Sequence, residues 1–138
     1  MGAGTVLPTS GRVFFSVKDA DKSEELAQAA RDLIVMGFTL VATRGTAAWL
    51  KERDVHAQIV NKVYEGRPNI VDMMKNRDIA LVLNTTEGNQ SISDSREIRS
   101  VALYDHIPYF TTAAGSIAAV AAMKSREEGE VNVRSLQA

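Results

Sequence analysis

The sequence predicts an α/β fold in three layers, a five-stranded parallel sheet with helices on both faces, and three observations lead there. Short apolar runs alternate with amphipathic stretches five times along the chain. Runs such as "FTLVA" and "IALVLN" show almost no polar alternation, as expected of strands covered on both faces. Finally, 138 residues with 45% hydrophobic side chains can bury one core and are too few for two domains.

The elements follow in order. Residues 1–11, "MGAGTVLPTSG", carry Gly, Pro, Ser and Thr without an apolar period and read as a linker or lead-in, so the folded unit is expected over 12–138. "RVFFSV" is the first strand, Asp21 to Met36 a helix, "FTLVA" the second strand, and Ala47 to Arg53 a helix. "AQIV" is a third strand and "NIVDMMKN" a short helix. "IALVLN" is the fourth strand, followed by a helix from Ser93 to Asp105 whose start, "SISD" or "DSRE", fits a capping box. "PYFT" and a helix from Ser116 to about Glu127 complete the alternation, with "IAAVAAM" packing small side chains on the sheet. The tail "GEVNVRSLQA" is expected to be loosely held.

Charge and composition exclude several function classes. Sixteen Lys and Arg against seventeen Asp and Glu leave a formal charge of −1, so no global basic field attracts nucleic acid or an anionic membrane. The absence of cysteine removes disulfides and thiolate chemistry and suits a cytoplasmic protein. No apolar run approaches the ~20 residues of a membrane span, and the N-terminus lacks a signal pattern. His56 and His106 stand apart without metal-ligand spacing and read as structural, and Trp49 reads as a packing residue.

"TRGTAAWL", residues 43–50, passes at once from an apolar run into an alanine-rich helical stretch. Two readings are open. Thr46 could be an N-cap, with Gly45 permitting the turn. Alternatively, the first helical turn could offer its N–H groups and dipole to an anion. Right-handed crossovers put every strand-to-helix loop on one edge of the sheet, so the loops are read together. They contain Ser16, Lys18 and Lys22, then "TRGT", "NKVYEGRP", "NTTEGNQS" and "TTAAGS". Ligands of open α/β sheets bind at this edge, near the point where strand order reverses. Thr43, Thr46, Asn84, Thr85 and Thr86 could converge there on a phosphate, with Lys22, Arg44, Lys62 and Arg67 supplying charge. Each charge-assisted bond would contribute roughly 1.5 to 3 kcal/mol. Against this, most lysines are solvated surface charges, and Asp94 fits a cap.

"SVKDADK", "GFTLVATRGTAAWL", "VNKVYEGRPNIVDMMKN", "LVLNTTEG", "DSREIRSVAL" and "PYFTTAAGS" together resemble the C-terminal regulatory domain of the carbamoyl-phosphate synthase large subunit, from about Leu7 to the end. "VNKVYEGRPNI" with "NTTEG" is specific to that family, whereas T-x-G-T is shared across the methylglyoxal-synthase-like superfamily. The resemblance implies a Rossmann-like sheet and an allosteric role within a glutamine-hydrolysing, ATP-dependent ligase of pyrimidine and arginine biosynthesis. It implies that UMP inhibits and IMP activates through this domain. Lys22, Thr43, Thr46 and Lys62 are then the phosphate-holding set, with Arg44 beside them at a position where members vary. By the same resemblance Asn84 and Thr86 lie deeper, Asp94 faces ribose or base, and Thr111 contacts an ornithine site shared with the rest of the subunit. The domain itself is implied to have no catalytic residue, metal or cofactor. ATP, Mg and K, and the glutaminase small subunit, belong to the whole enzyme.

The rival reading is a free-standing methylglyoxal synthase acting on dihydroxyacetone phosphate, which needs a positioned carboxylate base. That family carries its aspartate in a Gly-Gly-Asp loop after the third strand. Here the stretch is "YEGRP", with Arg67 at the corresponding place, and arginine cannot accept a proton at neutral pH. Glu87 alone does not restore the base. The cyclohydrolase domain of late purine synthesis shares the T-x-G-T turn but fits "VNKVYEGRPNI" less well.

Overall fold

The computed structural model describes residues 7–8, 10–62, 65–85 and 92–137, with backbone alone for 92–95 and 130–137. In chain order the elements are β1 (Arg12–Ser16), a 3-10 turn (Asp19–Asp21), α1 (Glu24–Val35), β2 (Thr39–Ala42), α2 (Arg44–Lys51) and β3 (Gln58–Ile59). They continue with α3 (Ile70–Lys75), β4 (Leu81–Asn84), α4 (Ile92–Tyr104), β5 (Tyr109–Phe110) and α5 (Ala113–Gln137). The five strands form one parallel sheet in the order β3-β2-β1-β4-β5, as the alternation predicts. Strand order therefore reverses between β1 and β4, where the crevice of an open α/β sheet lies.

Period-two alternation in the strands divides the core into two layers. Val13 and Phe15 of β1, Leu40 and Ala42 of β2, and Leu81 and Leu83 of β4 pack with Leu26 and Leu33 of α1, Leu50 of α2 and Val120 and Met123 of α5. Phe14, Val41 and Val82 point the other way, onto Ile70 and Met74 of α3 and Ile98 and Ala102 of α4. Both faces of the central strands β1, β2 and β4 are covered, which explains the lack of polar alternation in them. Trp49 is buried in the first layer, with the Arg53 guanidinium 5.1 Å from its ring centroid.

Three boundaries differ from the sequence reading. α2 starts at Arg44 rather than near Ala47, so Thr46 lies inside the helix and is not its cap. α5 starts at Ala113 and runs to Gln137, so the tail expected to be loose is helical. Leu7, in the expected lead-in, is buried in the core, and Arg126 of α5 donates to the carbonyls of Leu7 and Pro8 at 2.8 and 2.7 Å.

Local chemistry sets the helix ends. Ser23 caps α1 by accepting from the Leu26 N–H. Gly37 closes the helix in the left-handed region, φ +100°, while the N–H groups of Gly37 and Phe38 bond the carbonyls of Ile34 and Leu33. α3 carries a capping box: Asn69 accepts from the Val71 and Asp72 N–H groups, and Asp72 accepts from the Asn69 N–H. Arg67 adds a two-pronged pair to the Asp72 carboxylate, with donor distances of 2.7 and 3.1 Å to Oδ1. The sequence offers Arg67 as a source of charge for a ligand; its guanidinium pairs with Asp72 at the start of α3.

The Arg67 hydrogen bond, then that from the Asn69 N–H, holds the Asp72 carboxyl below its ordinary value. A depressed carboxyl stabilises the fold above its unfolded value and loses that contribution as pH falls through the folded one. Arg67→Ala makes Asp72 less acidic, so its contribution is lost earlier on acidification. Acid unfolding followed by far-UV circular dichroism should show a midpoint at higher pH in Arg67→Ala than in the unmodified protein.

Candidate anion site at the carboxyl edge of the sheet

Register brings the polar residues of this edge together. Ser16 ends β1 directly beside Asn84, the last residue of β4, and Phe15 pairs with Ala42, so Thr43 follows next to Ser16. Ser16, Thr43 and Asn84 thus sit side by side on three neighbouring strand ends. All three are buried, as are Thr46 and Thr85. Buried hydroxyls require partners, and here they find one another. Ser16 Oγ lies 3.3 Å from Thr43 Oγ1, and the Thr43 hydroxyl donates to Thr46 Oγ1 at 3.2 Å.

Two further bonds fix the loop after β1. The Val17 N–H donates to Thr46 Oγ1 at 3.0 Å, tying β1 to the first turn of α2. The Lys18 N–H donates to Thr85 Oγ1 at 3.2 Å, across the point where strand order reverses. The Thr85 N–H in turn donates to the Ser16 carbonyl at 2.8 Å. The Asn84 amide donates to the Tyr109 hydroxyl at 3.1 Å, which links β4 to β5. Asn84 and Thr85 therefore work within the edge as well as bordering it.

These bonds remove the cap reading of "TRGT". Thr43 occupies the N-cap position of α2, but its side chain makes no capping bond, because its hydroxyl is turned to Ser16 and Thr46. The N-cap side chain therefore leaves the first turn of α2 uncapped. Uncapped N–H groups at the positive end of a helix dipole suit an anion, a preference of roughly 0.3 to 1 kcal/mol from the dipole alone.

Arg44 brings a cation to that turn. Arg44, the first residue of α2, donates to Asn61 Oδ1 at 3.2 Å and brings its Nε within 3.8 Å of Glu65 Oε2. Glu65 Oε1 accepts from the Lys62 N–H at 2.6 Å, so Arg44, Lys62 and Glu65 form one group. Gly66 follows at φ +113°, a conformation that side-chain-bearing residues rarely adopt. Lys22, after the 3-10 turn, bonds the Asp19 carboxylate and is 18% exposed. That hydrogen bond, then the charge of Lys22, keeps the Asp19 carboxyl below its ordinary value. Thr111 lies at the same edge between β5 and α5, where the adjacent Thr112 caps α5 by accepting from the Gly115 N–H at 2.9 Å. Thr86 and Glu87 lie outside the described residues, as does the side chain of Asp94.

One buried hydroxyl is not singled out by the sequence. Ser116 is fully buried in the first turns of α5, and its hydroxyl has no partner among the described residues. It starts the inward stripe continued by Ala119, Val120 and Met123. No residue pattern distinguishes it from an ordinary small packing residue. No group of three or more His, Asp or Glu among the described residues could hold a metal, and no described helix is long and apolar enough to cross a membrane.

A parallel sheet with its polar residues gathered at one carboxyl edge defines an open, Rossmann-like α/β domain. The chain belongs to the MGS-like domain family, whose model matches residues 25–111. Over 99% of its length it is similar to part of the carbamoyl phosphate synthase large chains of Rhizobium meliloti (strain 1021), 47% identical, and Pseudomonas putida (strain KT2440), 50% identical. The corresponding protein of Xanthomonas campestris is 49% identical over 93% of the chain. The chain spans about 12% of the length of each of these relatives.

The Thr46 hydroxyl is testable apart from any ligand. Thr46→Val leaves the Val17 N–H without its acceptor, which should cost about 1 to 3 kcal/mol of stability in urea unfolding. Thr46→Ser keeps the hydroxyl and should lose less. A larger loss in Thr46→Ser than in Thr46→Val would mean that the methyl group, not the hydrogen bond, matters.

Proposed function

We propose that the chain is the allosteric regulatory domain of a glutamine-hydrolysing carbamoyl-phosphate synthase large subunit and binds nucleotide effectors at the carboxyl edge of its sheet. The observation that carries this reading is the uncapped first turn of α2, bordered by Arg44 and the loop of Lys62. A nucleotide phosphate is the expected anion, taken by the α2 amides with Lys22, Thr43, Thr46 and Lys62, and Arg44 at the rim. Because the Thr46 hydroxyl already serves Val17 and Thr43, its part is to hold the turn in place for the phosphate. Asn84, Thr86 and Asp94 would border the nucleoside.

UMP as inhibitor and IMP as activator are the proposed effectors. Thr111 is proposed to contact ornithine together with the rest of the subunit. The domain would carry no catalytic residue, and ATP, Mg, K and the glutaminase small subunit would act elsewhere in a cytoplasmic enzyme of pyrimidine and arginine synthesis. Similarity to the large chains over nearly the whole chain supports this identity. A methylglyoxal synthase is less well supported, since Arg67 follows Gly66 where a base would be needed and is engaged by Asp72.

Isothermal titration tests the reading. UMP should bind more tightly than uridine, and the difference should narrow as salt rises because part of the attraction is screened. Lys62→Ala should weaken UMP and leave uridine nearly unchanged. Equal affinities for nucleoside and nucleotide would remove the phosphate site, and turnover of dihydroxyacetone phosphate to methylglyoxal would favour the enzyme instead.

A further inference from the structure

Two cations of the proposed phosphate site, Lys22 and Arg44, already face carboxylates of the chain itself. Glu65 divides its two oxygens between the Lys62 N–H, at 2.6 Å, and the Arg44 guanidinium, with 3.8 Å between Nε and Oε2. Asp19 holds the ammonium of Lys22. Asp19 therefore holds an ammonium assigned to an incoming phosphate, while Glu65 stands beside Arg44 at its rim and on the main chain of Lys62, and a second anion cannot enter there without strong repulsion.

We propose that Glu65 and Asp19 are internal anions that stand in for the effector phosphate and are displaced when it binds, so that they set the affinity of the site. The inference rests on the reading of this edge as a nucleotide-phosphate site. The two carboxylates differ in how easily they leave. The Asp19 side chain is 95% exposed and returns to water at little cost, whereas that of Glu65 is 27% exposed and must swing out from partial cover. Glu65 is thus the stronger competitor. Its departure frees the Lys62 N–H and Arg44 together. An effector with a phosphate produces that change and a nucleoside does not.

The test titrates UMP, inorganic phosphate and uridine into the unmodified chain, Glu65→Gln and Asp19→Asn. Glutamine keeps an oxygen for the Lys62 N–H and removes only the charge. UMP and inorganic phosphate should bind Glu65→Gln about threefold to tenfold more tightly, as expected on removing one partly screened contact charge, and uridine should be unaffected. Asp19→Asn should act in the same direction by about twofold or less, because its charge is solvated. If Glu65→Gln unfolds, Asp19→Asn and the shorter Glu65→Asp carry the comparison, with Glu65→Asp expected to weaken competition and tighten UMP. Unchanged or weaker UMP binding in folded variants, with the unmodified chain binding UMP normally, overturns this proposal alone. If neither the unmodified chain nor the variants bind UMP or phosphate, the reading of the site falls with it.

Discussion

The bond from the Val17 N–H to the Thr46 hydroxyl is the constraint on which the carboxyl edge depends. Parallel strands end with main-chain groups that have no further strand partner, and where the chain turns out of the sheet these groups must find acceptors or meet water. Val17 is buried, so water is not available. Thr46 supplies the acceptor from α2, which fixes where that helix begins relative to β1. The Thr43 hydroxyl then bonds Thr46 and is withdrawn from capping. An uncapped helix start is thus a consequence of satisfying the edge of the sheet.

The same logic joins the two sides of the reversal point. Thr85 accepts from Lys18 and donates its own N–H to Ser16, so the loop after β1 is stitched to the end of β4. A ligand seated above β1 would therefore press on elements that belong to both halves of the sheet. Such a site can pass a local change onward only if the bound and free arrangements differ in energy, since an effector acts through differential affinity for two states. Carboxylates that must leave before a phosphate enters provide such a difference in a form that depends on the ligand's charge.

Much of this was legible in the sequence. The five alternations and unbroken apolar strands gave the parallel sheet because burial on both faces leaves that pattern, and parallel crossovers gave the shared edge. Polar clustering at the loops pointed to Thr43, Thr46, Asn84 and Thr85, all of which the fold gathers there. Helix starts and stops were less legible. Thr46 was read as a possible cap because threonine before an apolar stretch usually is one, but its hydroxyl answers to Val17, a residue 29 positions away. The helices α2, α3 and α4 end in left-handed residues that are not glycine, Asp54, Arg77 and His106, so the usual stop signal was missing. Arg67 looked available for a ligand because nothing in sequence announces that Asp72, five residues on, will claim it. That the Ser116 hydroxyl has no partner among the described residues depends wholly on tertiary surroundings.

The central claim is that the main-chain amides at the start of α2 receive the anion. Amide chemical shifts of the 15N-labelled chain during addition of UMP test it most directly. The account predicts large, saturable shifts for Gly45 and Thr46, with the Lys62 amide moving as Glu65 leaves it. Saturable shifts confined to residues away from this edge, such as those of α1 and α5 facing one another, with Gly45 and Thr46 unmoved, would contradict it.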